Sequence, residues 1–144
     1  MATKIWFDMD GTIANLYAVE GWLEDLRAER TRPYELAEVL LNMNQLAHKL
    51  NKLQRMGYEL GIISWTAKNG TESYNAKVTV AKLNWLDKHL HSVSWDNIKI
   101  VPYGTDKLMA TGGGILFDDE EGNRTNWGDN AYDPKDIMTV LRAL

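Results

Sequence analysis

The sequence predicts an α/β fold: a Rossmann-like three-layer α/β/α domain with a mostly parallel sheet. Three observations carry that prediction. Short apolar runs at 4–8, 58–64, 97–103 and 114–118 alternate with segments of helical periodicity, as in βα units whose strands run parallel. The 144 residues, 44% hydrophobic and 25% charged, suit one domain with its own core and no need of staples. Finally, Asp8, Ser64, the stretch after Tyr103 and Asp118-Asp119 all fall at or just past the ends of apolar runs. In open parallel sheets that edge is where ligands bind.

Each element has its own signal. Lys4-Ile5-Trp6-Phe7 runs as a strand into Asp8, and Gly11 lets the chain turn off it. Residues 16–30 carry Leu16, Val19, Trp22, Leu23 and Leu26 at helical spacing. Thr31 and Pro33 then break the pattern and open a second helix over about 34–56, with Leu36, Leu40, Met43, Leu46, Leu50 and Leu53 on one stripe and Gly57 as its stop. Strand 58–64 follows, then the loop AKNGTE. A helix over 74–90 presents Val78, Ala81, Leu83, Leu86 and Leu90. Strand 97–103, a helical turn near 105–110, a glycine loop, strand 114–118 and a last helix from Pro134 complete the chain.

Composition narrows the function. With no cysteine, disulfides and thiolate metal sites are excluded, so a metal would need oxygen or imidazole ligands. A net charge of -4 argues against extended nucleic-acid binding. No apolar run reaches the roughly 18 residues of a membrane span, and the first strand begins too early to leave room for a signal peptide. The expectation is a cytoplasmic single domain over residues 1–144 with no membrane partner. His48, His89 and His91 lack metal-ligand spacing and read as helix-surface residues.

Four motifs carry the chemistry. Asp8 and Asp10 are two carboxylates two residues apart, which repel unless a cation or a shared proton relieves them. Mg2+ suits such a site because it takes hard oxygen ligands and keeps several waters. Asp10 could equally cap a following helix. In GIISWT, Ser64, or else Thr66, offers a hydroxyl and a backbone N–H to a phosphate, although both are ordinary turn residues. Lys107 in PYGTDK can neutralise a phosphoryl group or sit in solvent. Asp118 and Asp119 end an apolar strand, where unpaired charge is rare and a divalent cation would rescue it; with Glu120 and Glu121 they could also form a solvated acidic loop.

Taken in order, FDMDGT, IIS, DK and LFDD resemble the haloacid dehalogenase (HAD) superfamily of aspartate-nucleophile phosphotransferases, over about residues 4–127. The resemblance implies a magnesium-dependent phosphomonoester hydrolase with an aspartyl-phosphate intermediate. Asp8 would be the nucleophile and Asp10 the general acid/base; dehalogenases of this superfamily lack an acid there, whereas phosphatases usually have it. Ser64 with the adjoining Trp65 would bind phosphate and Lys107 would neutralise charge. Asp8, Asp10, Asp118 and Asp119 would hold Mg2+, with Asp119 favoured over Asp118 and Asp10 contributing its backbone carbonyl.

Members of the superfamily often carry a cap domain. Residues 16–56 are too few for a large one, so a small helical cover is expected, and a homo-oligomeric partner is another way to close the site. Trp65, Tyr74 and Tyr103 are expected near the mouth, where an aromatic face could stack on a nucleobase or simply pack. The stretch AKLNWLDKHLHSVSWDNIKIVPYGTDK is loosely similar to the 5'(3')-deoxyribonucleotidase branch, which implies a nucleoside monophosphate as substrate. Three rivals remain. A phosphoacceptor receiver domain is disfavoured because strand three ends in Pro102-Tyr103 instead of an acceptor aspartate. A noncatalytic magnesium- or nucleotide-binding module and a phosphotransferase or mutase stay open.

Overall fold

The computed structural model describes residues 2–144. β1 (Lys4–Phe7) leads the chain. After a tight turn come β2 (Ala14–Asn15), a 3-10 turn at Leu16–Ala18, α1 (Trp22–Arg27), α2 (Arg32–Leu36) and β3 (Glu38–Val39). Then follow α3 (Met43–Arg55), β4 (Glu59–Trp65), α4 (Glu72–His89) and β5 (Asn97–Val101). The last third holds α5 (Lys107–Thr111), β6 (Ile115–Phe117), α6 (Glu121–Trp127), β7 (Ala131–Tyr132) and α7 (Ile137–Arg142).

Five strands form one parallel sheet in the order β5-β4-β1-β6-β7. β1 is central, and its residues alternate between the two layers. Ile5 and Phe7 join the core beneath α3, α7 and the C-terminal half of α4. Trp6 faces the other way, with Ile63, Leu116 and Trp127, against α5 and α6. The result is the α/β/α sandwich expected from the sequence. Among the described residues no helix is long and apolar enough to cross a membrane.

The expected elements differ from the observed ones in instructive places. The helix expected over 34–56 is two. Ala37 is extended (ψ 128°), and β3 pairs antiparallel with β2. Asn42 then caps α3 by accepting a hydrogen bond from the Gln45 N–H at 3.0 Å. The break leaves Leu36 and Leu40 exposed, although the stripe placed them in the core. Helix 16–30 shrinks to α1, because Gly21 takes a left-handed conformation (φ 75°) just before it. β7 and α6 were not expected; a two-residue strand is too short to show a period. In α4, Leu83 is exposed, against the expectation, and the neighbouring Lys82 is buried.

Residues 16–36 stand over the end of the sheet, whereas α3 packs on its face. Leu16 and Tyr34, with Leu26 packed against them, meet Ala67, Tyr74 and Val78 in a separate apolar cluster. Asp25 accepts hydrogen bonds from Arg30 (3.2 Å) and Arg32 (2.9 Å), which ties α1 to α2. The Glu29 carboxylate accepts from the Thr71 N–H and hydroxyl at 2.9 and 3.0 Å, and the Tyr74 hydroxyl donates to the Arg30 carbonyl at 2.8 Å. Those bonds fasten the cover to the β4–α4 loop.

Candidate active site

β1 and β6 bring the acidic groups together. Phe7 pairs with Phe117, so the chain leaves the sheet at Asp8 and Asp118 side by side. The Asp8 N–H donates to the Phe117 carbonyl at 2.9 Å, and the Asp118 N–H donates to the Tyr132 carbonyl at 3.2 Å. By strand alternation Asp8 shares the Trp6 face, where α5 packs. Beyond Asp8 the chain curls around the Met9 carbonyl, which accepts from the N–H groups of Thr12, Ile13 and Ala14 at 3.0–3.1 Å. Gly11 sits in that curl at φ 80°, and a Cβ there would run into the Asp119 carboxylate. Glycine is required by both conformation and space.

Lys107 is the first residue of α5, which Asp106 caps by accepting from the Met109 N–H at 3.1 Å. Its buried ammonium donates to Asp8 Oδ1 at 2.9 Å and to Asp118 Oδ2 at 2.7 Å. Burial opposes the charge, but the two carboxylates outweigh it and hold Lys107 above the usual lysine range. Thr12, also buried, donates from Oγ1 to Asp8 Oδ2 at 2.9 Å and accepts from the Asp119 N–H at 3.2 Å.

The two acidic neighbours are not equivalent. Asp118 is fully buried, and besides Lys107 it accepts from Asn123 Nδ2 at 3.1 Å and the Glu120 N–H at 2.9 Å. Asp119 is half-buried and has no ion-pair partner among the described residues. Burial first, and then the Asp8 charge, raise Asp118 to about 6 and Asp119 to about 8. One oxygen from each of Asp8, Asp118 and Asp119 lies within 4.8 Å of the others. Three hard oxygen donors, one of them without a cation, fit a magnesium-sized dication.

Asp10 is not one of these three carboxylates, although it lines the same cavity as they do. Its Oδ2 accepts from Lys82 Nζ at 2.9 Å, and the same ammonium donates to Ser64 Oγ at 2.7 Å and to the Trp65 carbonyl at 2.6 Å. Burial raises Asp10 above the ordinary carboxylate range; Lys82 opposes that and Asp8 adds to it.

A cavity of about 570 Å³ opens over these groups. Asp8, Asp10, Lys107, Asp118 and Asp119 line it, as do Trp65 and Thr66. Ser64 does not: its side chain is fully buried and its hydroxyl is turned to Lys82, so Thr66 is the hydroxyl residue of this motif at the cavity wall. Of the aromatic residues expected at the mouth, Trp65 and Tyr103 are there with ring centroids 4.8 Å apart, while Tyr74 is buried under the cover. Tyr17 and Trp22, edge to face at 4.9 Å, join the lining from the cover, together with Arg27 and Glu29. His48 and His91 are exposed, and half-buried His89 packs against Trp85. Trp6 is buried, and Trp95 is half-buried and edge-on to Phe7.

Sequence reasoning passed over Lys82, Thr12 and Asn123. For Lys82 a signal was available. It falls four residues after Val78 and four before Leu86, on the buried stripe of α4. A lysine on an apolar stripe needs a buried acceptor. Asn123 lies on a helix whose sequence, EGNRTNW, has no apolar stripe to announce it.

No family model and no curated protein matches this chain. Among solved structures the fold is similar to that of D,D-heptose 1,7-bisphosphate phosphatase from Burkholderia thailandensis. The TM-score is 0.52 at 13% identity, covering 85% of this chain and 70% of that one. At that identity the likeness shows a shared fold.

Proposed function

We propose that this protein is a HAD-type, magnesium-dependent phosphomonoester hydrolase that works through an aspartyl phosphate on Asp8. The observation that carries this reading is the convergence of Asp8, Lys107, Asp118 and Asp119 on the floor of one cavity. The fold shared with a bisphosphate phosphatase supports it. Asp8, Asp118 and Asp119, with the Asp10 main chain, would hold Mg2+, which supplies charge that offsets repulsion between a carboxylate nucleophile and a phosphate.

The chain's own groups do the rest. Asp8 attacks phosphorus in line, and the bond to the ester oxygen breaks. Lys107 neutralises part of the phosphoryl charge. Asp10, which burial favours in its protonated form, gives its proton to the departing alkoxide. A water then attacks the aspartyl phosphate and passes a proton to Asp10. The bond between phosphorus and the Asp8 carboxylate breaks, releasing inorganic phosphate and restoring both side chains.

The substrate we propose is a nucleoside monophosphate; the support for it is the Trp65–Tyr103 pair, which could serve as a stacking wall for the base. A sugar phosphate is the second reading. The structural neighbour is named for a heptose bisphosphate, and Arg27 and Lys68 in the lining could meet a second phosphate. A phosphate-release screen over nucleotide and sugar phosphates with magnesium decides between them. Asp8→Asn should abolish release; equal rates for that variant and the wild type would refute the assigned nucleophile.

A further inference from the structure

Lys82 carries a role that the four motifs do not contain. Its side chain is 1% exposed, although it is a lysine on an apolar helix stripe. An ammonium has three protons, and here each has an acceptor: Asp10 Oδ2, Ser64 Oγ and the Trp65 carbonyl, at 2.6–2.9 Å. The Tyr34 ring lies 5.2 Å away on a further side. No N–H is left over for a substrate oxygen, which separates Lys82 from a phosphate-binding lysine. Burying an ammonium is expensive, and a methionine would fill the stripe without that cost. What the lysine adds is a rigid link between the turn after β1 and the end of β4.

We propose that Lys82 is a positioning residue: a buried tripod that holds the Asp10 carboxyl by Oδ2 and leaves Oδ1 presented to the leaving oxygen of the substrate. Among the described residues Asp10 Oδ1 has no hydrogen-bond partner, and Asp10 lines the cavity. The inference rests on Asp10 being the acid and base of the proposed hydrolase.

Leaving-group dependence tests it, because a merely structural lysine would not affect it. p-Nitrophenolate departs without a proton, so phosphorylation of Asp8 by p-nitrophenyl phosphate bypasses Asp10; hydrolysis of the aspartyl phosphate does not. Lys82→Met should therefore give a burst of one p-nitrophenolate per site, then a steady rate reduced about 100-fold, the scale of a displaced acid/base group. With an alkyl phosphate the first turnover itself should slow by about the same factor, with KM nearly unchanged. Asp10→Asn should show the same pattern, and the double variant should be no worse than Asp10→Asn. If Lys82→Met slows both substrates equally in the first turnover, or multiplies with Asp10→Asn, the positioning role is wrong. Should Lys82→Met fail to fold, Ser64→Ala removes one leg of the tripod and keeps the charge. It should slow the alkyl ester's first turnover several-fold and spare the p-nitrophenolate burst; no difference between the two overturns the proposal. If the wild type forms no phosphoenzyme on Asp8 with either ester, the hydrolase reading falls and takes this inference with it. Wild-type turnover with an unaltered profile in the variants sinks only the Lys82 role.

Discussion

Replacing Lys107 by methionine tests the electrostatics on which the site depends. The lysine bridges Asp8 and Asp118 at 2.9 and 2.7 Å, and its side chain is 3% exposed. Methionine fills much the same space but leaves two buried carboxylates, with Asp119 close by, and no cation among them. Breaking a buried pair by deleting one partner costs about 3–5 kcal/mol. That is a large share of the roughly 5–15 kcal/mol that holds a domain together. At roughly 3 °C per kcal/mol for a chain of this size, the melting temperature should fall by about 10 °C in chelator at neutral pH. Magnesium should then recover more stability in the variant than in the wild type, because in the wild type Lys107 already balances part of the charge on the carboxylates that would hold the cation. Thermal melts followed by circular dichroism, with chelator and with saturating magnesium, measure both effects. A loss below about 1 kcal/mol, or an equal magnesium response in the two proteins, would refute the claim that Lys107 balances a buried acidic cluster.

Acidity provides a second test. Asp118 at about 6 and Asp119 at about 8 lie above the unfolded value near 3.9, so between about pH 4 and pH 8 the folded protein keeps protons that the unfolded chain has lost. Metal-free protein should therefore gain melting temperature as pH falls from 8 towards 5, and magnesium should flatten that slope by holding the carboxylates ionised. Gly61→Ala adds a methyl group that would run into the Trp6 ring on the adjacent strand, and should cost about 1–3 kcal/mol in urea unfolding. Trp65→Ala should raise KM for a nucleoside monophosphate about 10-fold or more, the scale of one lost base stack, while leaving glycerol phosphate nearly unaffected. An equal change for both substrates would mean that the ring packs and does not recognise a base.

Much of the fold was legible because its signals are local. Alternating apolar runs and helical stripes gave four of the five sheet strands, and Asp8, Asp118 and Asp119 stood out because charge at the end of an apolar run demands compensation, whereas Lys107 drew notice only through the order of the four motifs. The misreadings share a cause. In 34–56 the stripe Leu36-Leu40-Met43 continues unbroken through a region where the backbone is extended at Ala37 and capped afresh at Asn42. Periodicity records which residues are apolar, and pairing between β2 and β3, which decides the break, lies outside any helical window.

The sequence alone determined the strand–helix alternation and the acidic strand ends, because each depends on neighbours a few residues away. Tertiary structure decided where the polar side chains point. Ser64 looked like a phosphate ligand and is instead buried against Lys82, a residue outside the four motifs that also reaches Asp10. The two aspartates of the first motif thus answer to different lysines, one from α4 and one from α5, 72 and 99 residues along the chain. Such partnerships arise only when the sheet brings its strand ends together, since a buried charge takes the nearest available counter-charge in space, however far away it is in sequence.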